Sequence, residues 1–263
     1  MKLFYHIART AFQRHLTYRV ALLAGLVTNL AFGILRAMVM TALFAGRPSM
    51  NGMDLQQAIT YTGLTQSIIA YLMFFGWWDL MNSVYSGDIA VALLQPVHFF
   101  GYWLAQDLGR ALVHIALRGL PIIAVYAYLY HITFPASILQ WIGLCAALLL
   151  SLLVSFAWRF LVNLMSFWTP DARGLGRFFF GLSYFFSGFF MPLRFFPDWF
   201  QRAAAFTPFP ATINTVIEIF LNLRTGPEML TALIQQLLWF AGLVAIGQWV
   251  LQRGIRSLVV QGG

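Results

Sequence analysis

Long apolar segments are the feature of this sequence that most restricts its fold. Runs such as 20–44 and 138–168 are mainly apolar and exceed the roughly 20 helical residues needed to cross the hydrocarbon of a bilayer. Only 9% of the residues are charged and 60% are hydrophobic, whereas a soluble domain has about 25% charged residues. Because backbone polar groups in lipid must be satisfied within the segment, such runs predict helices. We therefore expect an all-α, polytopic membrane protein.

Charges, prolines and glycines divide these segments into six predicted spans within one transmembrane domain, 1–263. The predicted spans are 20–44, 58–80, 111–130, 138–168, 177–191 and 230–251. Basic and apolar residues alternate at helical spacing over 1–19, which indicates an interfacial helix. Pro192 and Pro197 interrupt the chain after the fifth span, so a re-entrant turn and short outer helices are expected before the sixth.

The distribution of basic residues predicts the orientation of the spans. With six spans, ten of the sixteen Lys and Arg residues fall on the side of the termini, four fall on the other side, and Arg36 and Arg159 lie inside spans. Cytoplasmic loops carry the excess of Lys and Arg. Both termini are therefore expected in the cytoplasm. The total charge of +8 forms no single basic face, so we expect no nucleic acid partner.

The segment after the second span predicts a short amphipathic helix, 87–96. Its apolar positions, Ile89, Leu93 and Val97, recur at helical spacing. Asp88 and Gln95 are polar, and Pro96 limits the helix. The charge distribution places this helix in the cytoplasm. An apolar stripe there predicts that another protein surface contacts it.

Four polar residues at the entry to the third span share one helical face and are interpreted as a solvated stripe: Asp107, Arg110, His114 and Arg118. Arg36 is expected to reach the interface by snorkelling. Arg159 is expected to snorkel or to pair with another group.

Several kinds of chemistry lack the residues that they need. A phosphate-binding P-loop requires a lysine, and the only lysine is Lys2. The five histidines form no H-x-x-x-H or H-E-x-x-H pattern, so no metal is expected. Ser183 lies in a segment that begins like a nucleophile elbow but lacks the closing glycine. Ser183 and Ser187 are instead expected to let helices approach closely.

The order of these features resembles that of ABC-2 type permease subunits over essentially the whole chain. Three blocks carry the resemblance: Ser86-Gly87-Asp88-Ile89 with Leu93-Leu94-Gln95-Pro96; Phe167-Trp168-Thr169-Pro170-Asp171-Ala172 with Gly174-Leu175; and Ser187-Gly188-Phe189-Phe190-Met191-Pro192-Leu193 through Phe196-Pro197-Asp198-Trp199-Phe200 to Pro208-Phe209-Pro210. The chain departs from the pattern at Gln95, where an arginine often precedes the proline. It also departs in the uncharged segment 82–85.

The resemblance implies the membrane half of an ATP-driven exporter in the bacterial cytoplasmic (inner) membrane. Two such halves, identical or homologous, would pair among membrane lipids, and each would dock an ATP-binding subunit made as a separate chain. That subunit would hold ATP and Mg, so this chain would be a transport subunit with no bound cofactor and no enzymatic site. The segment 87–96 would be its coupling helix, with these coupling residues: Gly87, Asp88, Ile89, Leu93, Leu94, Gln95 and Pro96.

An amphiphilic substrate is expected, either drug-like, a lipid or a glycolipid, because the fifth span is rich in phenylalanine. Candidate substrate-path or dimer-interface residues are Ser183, Phe186, Ser187 and Phe190, although packing within the chain would suit the same side chains. Two other functions remain open from the residues alone. One is an ATP-independent channel or secondary carrier, and the other is an intramembrane hydrolase.

Overall fold

Helices make up most of the protein in its computed structural model, which describes residues 2–94, 98–169 and 172–257. The helices are α1 (Lys2–Thr17), α2 (Arg19–Leu43), α3 (Leu55–Leu72), α4 (Asp79–Ser86), α5 (Ile89–Leu94), α6 (Phe99–His114), α7 (Leu120–Tyr130), α8 (Ile138–Asn163), α9 (Arg173–Phe186), α10 (Asp198–Ala205), α11 (Asn214–Phe220) and α12 (Gly226–Ser257). Two short strands, β1 (Ser49–Met50) and β2 (Met53–Asp54), form an antiparallel hairpin between α2 and α3.

Four helical stretches of the described chain are long and apolar enough to cross a membrane. They are Arg19–Leu43, Phe99–Tyr130, Ile138–Phe167 and Gly226–Arg256. An all-α, multi-pass membrane protein is therefore confirmed, while six spans remain a prediction. The remaining two predicted spans correspond to α3 and α9, which differ from the other four in burial and in length.

Helix α3 is surrounded by protein on every side. All residues from 58 to 72 are buried, so the threonines, the glutamine and the serine in this range face neighbouring helices instead of lipid. Its start is fixed by a capping box, in which the Asp54 side chain accepts from the Gln57 backbone and the Gln57 side chain accepts from the Asp54 backbone. The helix ends at Leu72, where Met73 is left-handed, instead of continuing to residue 80 as in the predicted span.

The third predicted span begins earlier than its sequence boundary of 111. Helix α6 starts at Phe99 and continues through a π-helical turn, Ile115–Gly119, into α7. Pro121 follows this turn, and a proline inside a helix has no N–H group and clashes with the carbonyl of the residue four positions earlier. The wider π-helical turn accommodates the proline without ending the helix.

The N-terminal helix α1 packs along α6. A Cβ atom built on Gly109 of α6 would come within 2.9 Å of the carbonyl carbon of Ala8, so only a glycine permits this close approach. Ala11 is buried at the contact, and the rings of His15 and His114 lie 5.9 Å apart. The helix predicted to lie at the interface is thus attached to the helix of the third predicted span.

The connections between helices gather at two opposite ends of the molecule. At one end, which we call the hairpin end, Asn51 donates to the carbonyl of Arg194 at 2.7 Å and Gln140 donates to the carbonyl of Arg224 at 2.8 Å. At the other, which we call the α4–α5 end, Arg173 donates to Asn82 at 2.8 Å. Helix α9 joins the two ends, although its 14 residues extend about 21 Å against about 30 Å of hydrocarbon.

Candidate functional site

A glycine turn joins the two short helices of the α4–α5 element. Gly87 has φ +82 and its N–H donates to the carbonyl of Val84 at 3.2 Å, a left-handed helix end that glycine adopts without strain. Asp88 accepts a 2.7 Å hydrogen bond from the hydroxyl of Ser86. The turn therefore sets the direction of α5 relative to α4.

The apolar stripe of α5 attaches the element to its own chain. Ile89 is 2% exposed and joins a buried cluster with Trp77, Leu80 and Phe99, among others. Leu93 is half-buried against the same cluster. Ile89 and Leu93, which were candidates for contact with a partner, thus pack against the buried cluster of their own chain.

The outward face of the element presents other side chains. Leu94 is 85% exposed and Tyr85 is 71% exposed, and Ser86 and Asp88 are exposed beside them in sequence. We call these four residues the α4–α5 surface. The guanidinium of Arg173, on α9, lies 5.7 Å from the ring centre of Tyr85. Gln95, Pro96 and Val97 lie outside the described residues, so their predicted part in this surface stays a prediction.

Behind this element lies a buried cluster of three charged residues. Arg159 of α8 donates through both terminal amino groups to the two carboxylate oxygens of Asp107 of α6, at 3.1 and 2.7 Å. Arg110 donates to the same carboxylate at 2.8 Å. The three residues are 2 to 4% exposed. Arg159 is therefore paired as expected, but the interpretation of Asp107 and Arg110 as solvated is wrong, because α6 is covered by its neighbours along this face.

The cluster connects four helices. Arg110 donates to the carbonyl of Tyr71 in α3 at 2.6 Å. One turn beyond Arg159, the Asn163 amide donates to the carbonyl of Trp77 at 2.8 Å and accepts from the backbone N–H of Met81 at 3.2 Å. Helices α3, α6 and α8 are thus joined through charges, and α8 is joined to α4 through one asparagine.

Arg36 contacts the turn that follows α9. Its guanidinium donates to the carbonyls of Phe189 and Phe190 and lies 4.9 Å from the ring centre of Phe189. The same turn contains Gly188, with φ +84, whose carbonyl accepts from the Tyr61 hydroxyl at 2.8 Å. Backbone carbonyls that the turn leaves free satisfy the cation, and whether this position is at the membrane interface stays a prediction.

The four candidate substrate-path residues lie near this turn in different environments. The hydroxyls of Ser183 and Ser187 donate to the carbonyls three residues earlier, at 2.6 and 3.3 Å, and both residues are buried. Phe186 stacks on Phe200 with ring centres 5.1 Å apart. Phe190 is 44% exposed. Of the four, Phe190 presents the most surface to lipid, to a second chain or to a substrate.

Comparison with known families places these features in a wider group of proteins. A family model described as "ABC-2 family transporter protein" matches residues 30–262. The match includes the α4–α5 surface, the buried charged cluster and the turn after α9. No curated protein matches the chain significantly.

Proposed function

Because the chain belongs to the ABC-2 family of transporter proteins, we propose that it moves an amphiphilic substrate out of the cytoplasm in partnership with a separate ATP-binding subunit. Family membership makes it the permease, the membrane component of an ABC transport system, without an ATPase site of its own. The direction of transport, the substrate class and the partner are parts of the proposal.

The α4–α5 surface is the proposed docking site for the ATP-binding subunit. The observation that carries this proposal is a short element whose apolar stripe holds it to the permease core while Leu94 and Tyr85 stay exposed. A large apolar or aromatic side chain that enters a pocket on the partner commonly supplies much of the binding energy. Asp88, also exposed, adds a charge that can select a basic partner surface.

The proposed mechanism transmits force from this surface to the membrane-crossing helices. Closure of the ATPase dimer on ATP would displace the α4–α5 element. Asn163, bonded to Trp77 and Met81, would carry the displacement to Arg159 and so to Asp107. Because buried ion pairs lose much stability when they are separated, the helices that share this cluster would move together and not individually.

A pairing of two permease chains, with both termini in the cytoplasm of a bacterium, completes the proposal. The excess of Lys and Arg on the side of the termini supports this orientation. An apolar substrate body is supported by Phe178, Phe185 and Phe190, which are exposed along α9 and its end. Exposed aromatic rings offer contact area to an apolar molecule at small cost in side-chain entropy.

Capture of the ATP-binding subunit by the purified permease tests the docking site. We expect Leu94→Asp to lower capture at least tenfold, because a charge would replace an apolar group at the centre of the contact, and tenfold corresponds to about 1.4 kcal/mol. Phe206→Asp is the matched control, since Phe206 is 84% exposed but lies at the hairpin end. Equal recovery of the ATPase by wild type and Leu94→Asp would sink the assignment.

A transport assay in vesicles distinguishes the proposed ATP-driven permease from an ATP-independent channel or carrier. Vesicles that contain the permease with its ATPase are expected to move a fluorescent lipid probe only when ATP is present. Vesicles with the permease alone are expected to move none. Transport by the permease alone would favour the channel or carrier.

A further inference from the structure

A cavity at the hairpin end has the size of a small-molecule site. It measures about 570 Å³ and lies between the α10–α11 segment and the first turns of α12. Small-molecule sites commonly measure about 300 to 1,000 Å³. It lies at the opposite end of the molecule from the α4–α5 surface, so ATPase docking does not account for it.

Four charged residues line the cavity: Arg194, Glu218, Arg224 and Glu228. The first three form one ion-paired group that contains a single negative charge. Glu218 pairs with Arg194 at 3.1 Å and with Arg224 at 2.6 Å, which leaves the group a net charge of +1. The glutamate side chain is 8% exposed, whereas the arginine side chains are 24 and 35% exposed. The part of this group that a ligand meets is therefore cationic.

Arg224 has the hydrogen-bonding capacity for a further anion. Its Nε donates to Glu218 at 2.6 Å, and within the described part of the chain its two terminal amino groups make no hydrogen bond. Planar guanidinium donors bind carboxylate and phosphate oxygens in pairs. Glu228 also lines the cavity; it is exposed and lies beyond ion-pair distance of both arginines. Glu228 therefore pairs with neither arginine, and the terminal amino groups of Arg224 stay available.

Helix α12 supplies a wall that changes from polar to aromatic along its length. Thr231, Gln235 and Trp239 follow each other at four-residue spacing and all line the cavity. They belong to one of the four stretches able to cross a membrane, where polar side chains usually mark a functional path. A molecule with a charged head and an apolar body would match this change of polarity.

We propose that the cavity binds the anionic head group, a carboxylate or a phosphate, of an amphiphile. Arg224 and Arg194 bind the head group, and the apolar body lies along α12 toward Trp239. This site goes beyond the proposed export function and is independent of ATPase docking, because binding is a property of the permease alone. The guanidinium groups of Arg194 and Arg224 disfavour a cationic head group at this position.

Native mass spectrometry of the purified permease in a neutral detergent tests the site, with dodecyl phosphate as the probe. We expect one saturable probe per chain. Arg224→Gln is expected to raise the Kd at least tenfold, and Arg202→Gln, which alters an exposed arginine outside the cavity lining, is expected to leave it unchanged. Equal binding by the two variants, or equal binding of dodecyltrimethylammonium, would overturn the proposal.

Glu218→Gln tests whether a loss of binding in Arg224→Gln reflects the anion site or only a folding defect. It raises the charge of the three-residue group from +1 to +2, so we expect tighter binding of dodecyl phosphate, a gain that disrupted folding would not produce. Unchanged or weaker binding by a variant that elutes as a single folded species would contradict the site.

Competition with phosphatidylglycerol identifies the source of the head group. Displacement of dodecyl phosphate assigns the site to a membrane phospholipid. Retention of the probe assigns it to a free anionic amphiphile, such as a molecule leaving the transporter. Both results are consistent with an anion site in the cavity, and neither measurement requires the ATP-binding subunit.

Discussion

Asp107 is the single residue whose charge holds two buried arginines together. Its carboxylate receives four hydrogen bonds from Arg110 and Arg159. Without that negative charge, two guanidinium groups would remain buried beside each other and unpaired. The loss of one partner from a buried ion pair commonly costs about 3 to 5 kcal/mol.

We therefore expect Asp107→Asn, which preserves the shape of the side chain but removes its charge, to lower the free energy of unfolding by about 3 to 5 kcal/mol. Fluorescence-detected gel filtration after heating measures the midpoint of unfolding. Asp88→Asn is the control, since Asp88 is exposed and its charge is solvated. A midpoint for Asp107→Asn equal to that of wild type would show that the cluster is stable without its carboxylate.

The pairing of Arg159 could be predicted from sequence but its partner could not. A guanidinium in an apolar helix needs a partner, because the cost of leaving it unpaired is large. Asp107 looked solvated because the third span was expected to begin at 111, four residues after it. The observed helix begins at Phe99, which moves Asp107 from the entry of the span into its interior.

At the scale of elements, the contact of α1 with α6 depends on the absence of a side chain at Gly109. We expect Gly109→Leu to displace α1, since a Cβ atom there would overlap the backbone of Ala8. Hydrogen exchange of the α1 amides should then increase. Gly101→Leu, on the same helix, is the control because the nearest neighbour of its Cβ is 3.8 Å away. Equal exchange in the two variants would rule out this close approach.

Periodicity predicted the existence of α1 and α5 but not the surfaces that they contact. An amphipathic stripe shows which face is apolar, yet lipid, a partner or the chain itself can cover it. In α5, Ile89 and Leu93 face the protein's own cluster, so the exposed Leu94, and not the stripe, marks the proposed docking surface. The break after Leu72 was missed because Met73 is left-handed, a conformation that its residue type does not signal.

At the scale of the whole molecule, the two ends are proposed to face opposite sides of the membrane. The chain has a single cysteine, Cys145, so Cys145→Ala gives a background for labelling at chosen positions. We expect Leu94→Cys to react with an impermeant maleimide only in permeabilised cells and Phe206→Cys to react in intact cells. Both residues are more than 80% exposed, so accessibility within the protein is matched. Labelling of both in intact cells would contradict the topology.

Charge counting and apolar length predicted a membrane protein with several spans, and the family match confirms the class. The cavity at the hairpin end was not predicted, because Arg194, Glu218 and Arg224 lie on separate segments between α9 and α12 and on none of the long apolar runs. Arg194 and Glu218 are 24 positions apart, and only the fold, in which α11 packs against α8 and α3, brings them together.

The complete burial of α3 has a consequence for how the chain is made. In the finished protein its residues 58 to 72 meet no lipid, yet α3 is synthesised before α7 and α8, which later cover it. A newly made α3 would expose its buried threonines and Gln66 to hydrocarbon unless α2 shields it. Asn29 of α2 donates to the carbonyl of Gln66 at 3.0 Å, which makes α2 the available companion. We therefore expect α2 and α3 to enter the bilayer as one antiparallel pair, around which the rest of the permease assembles.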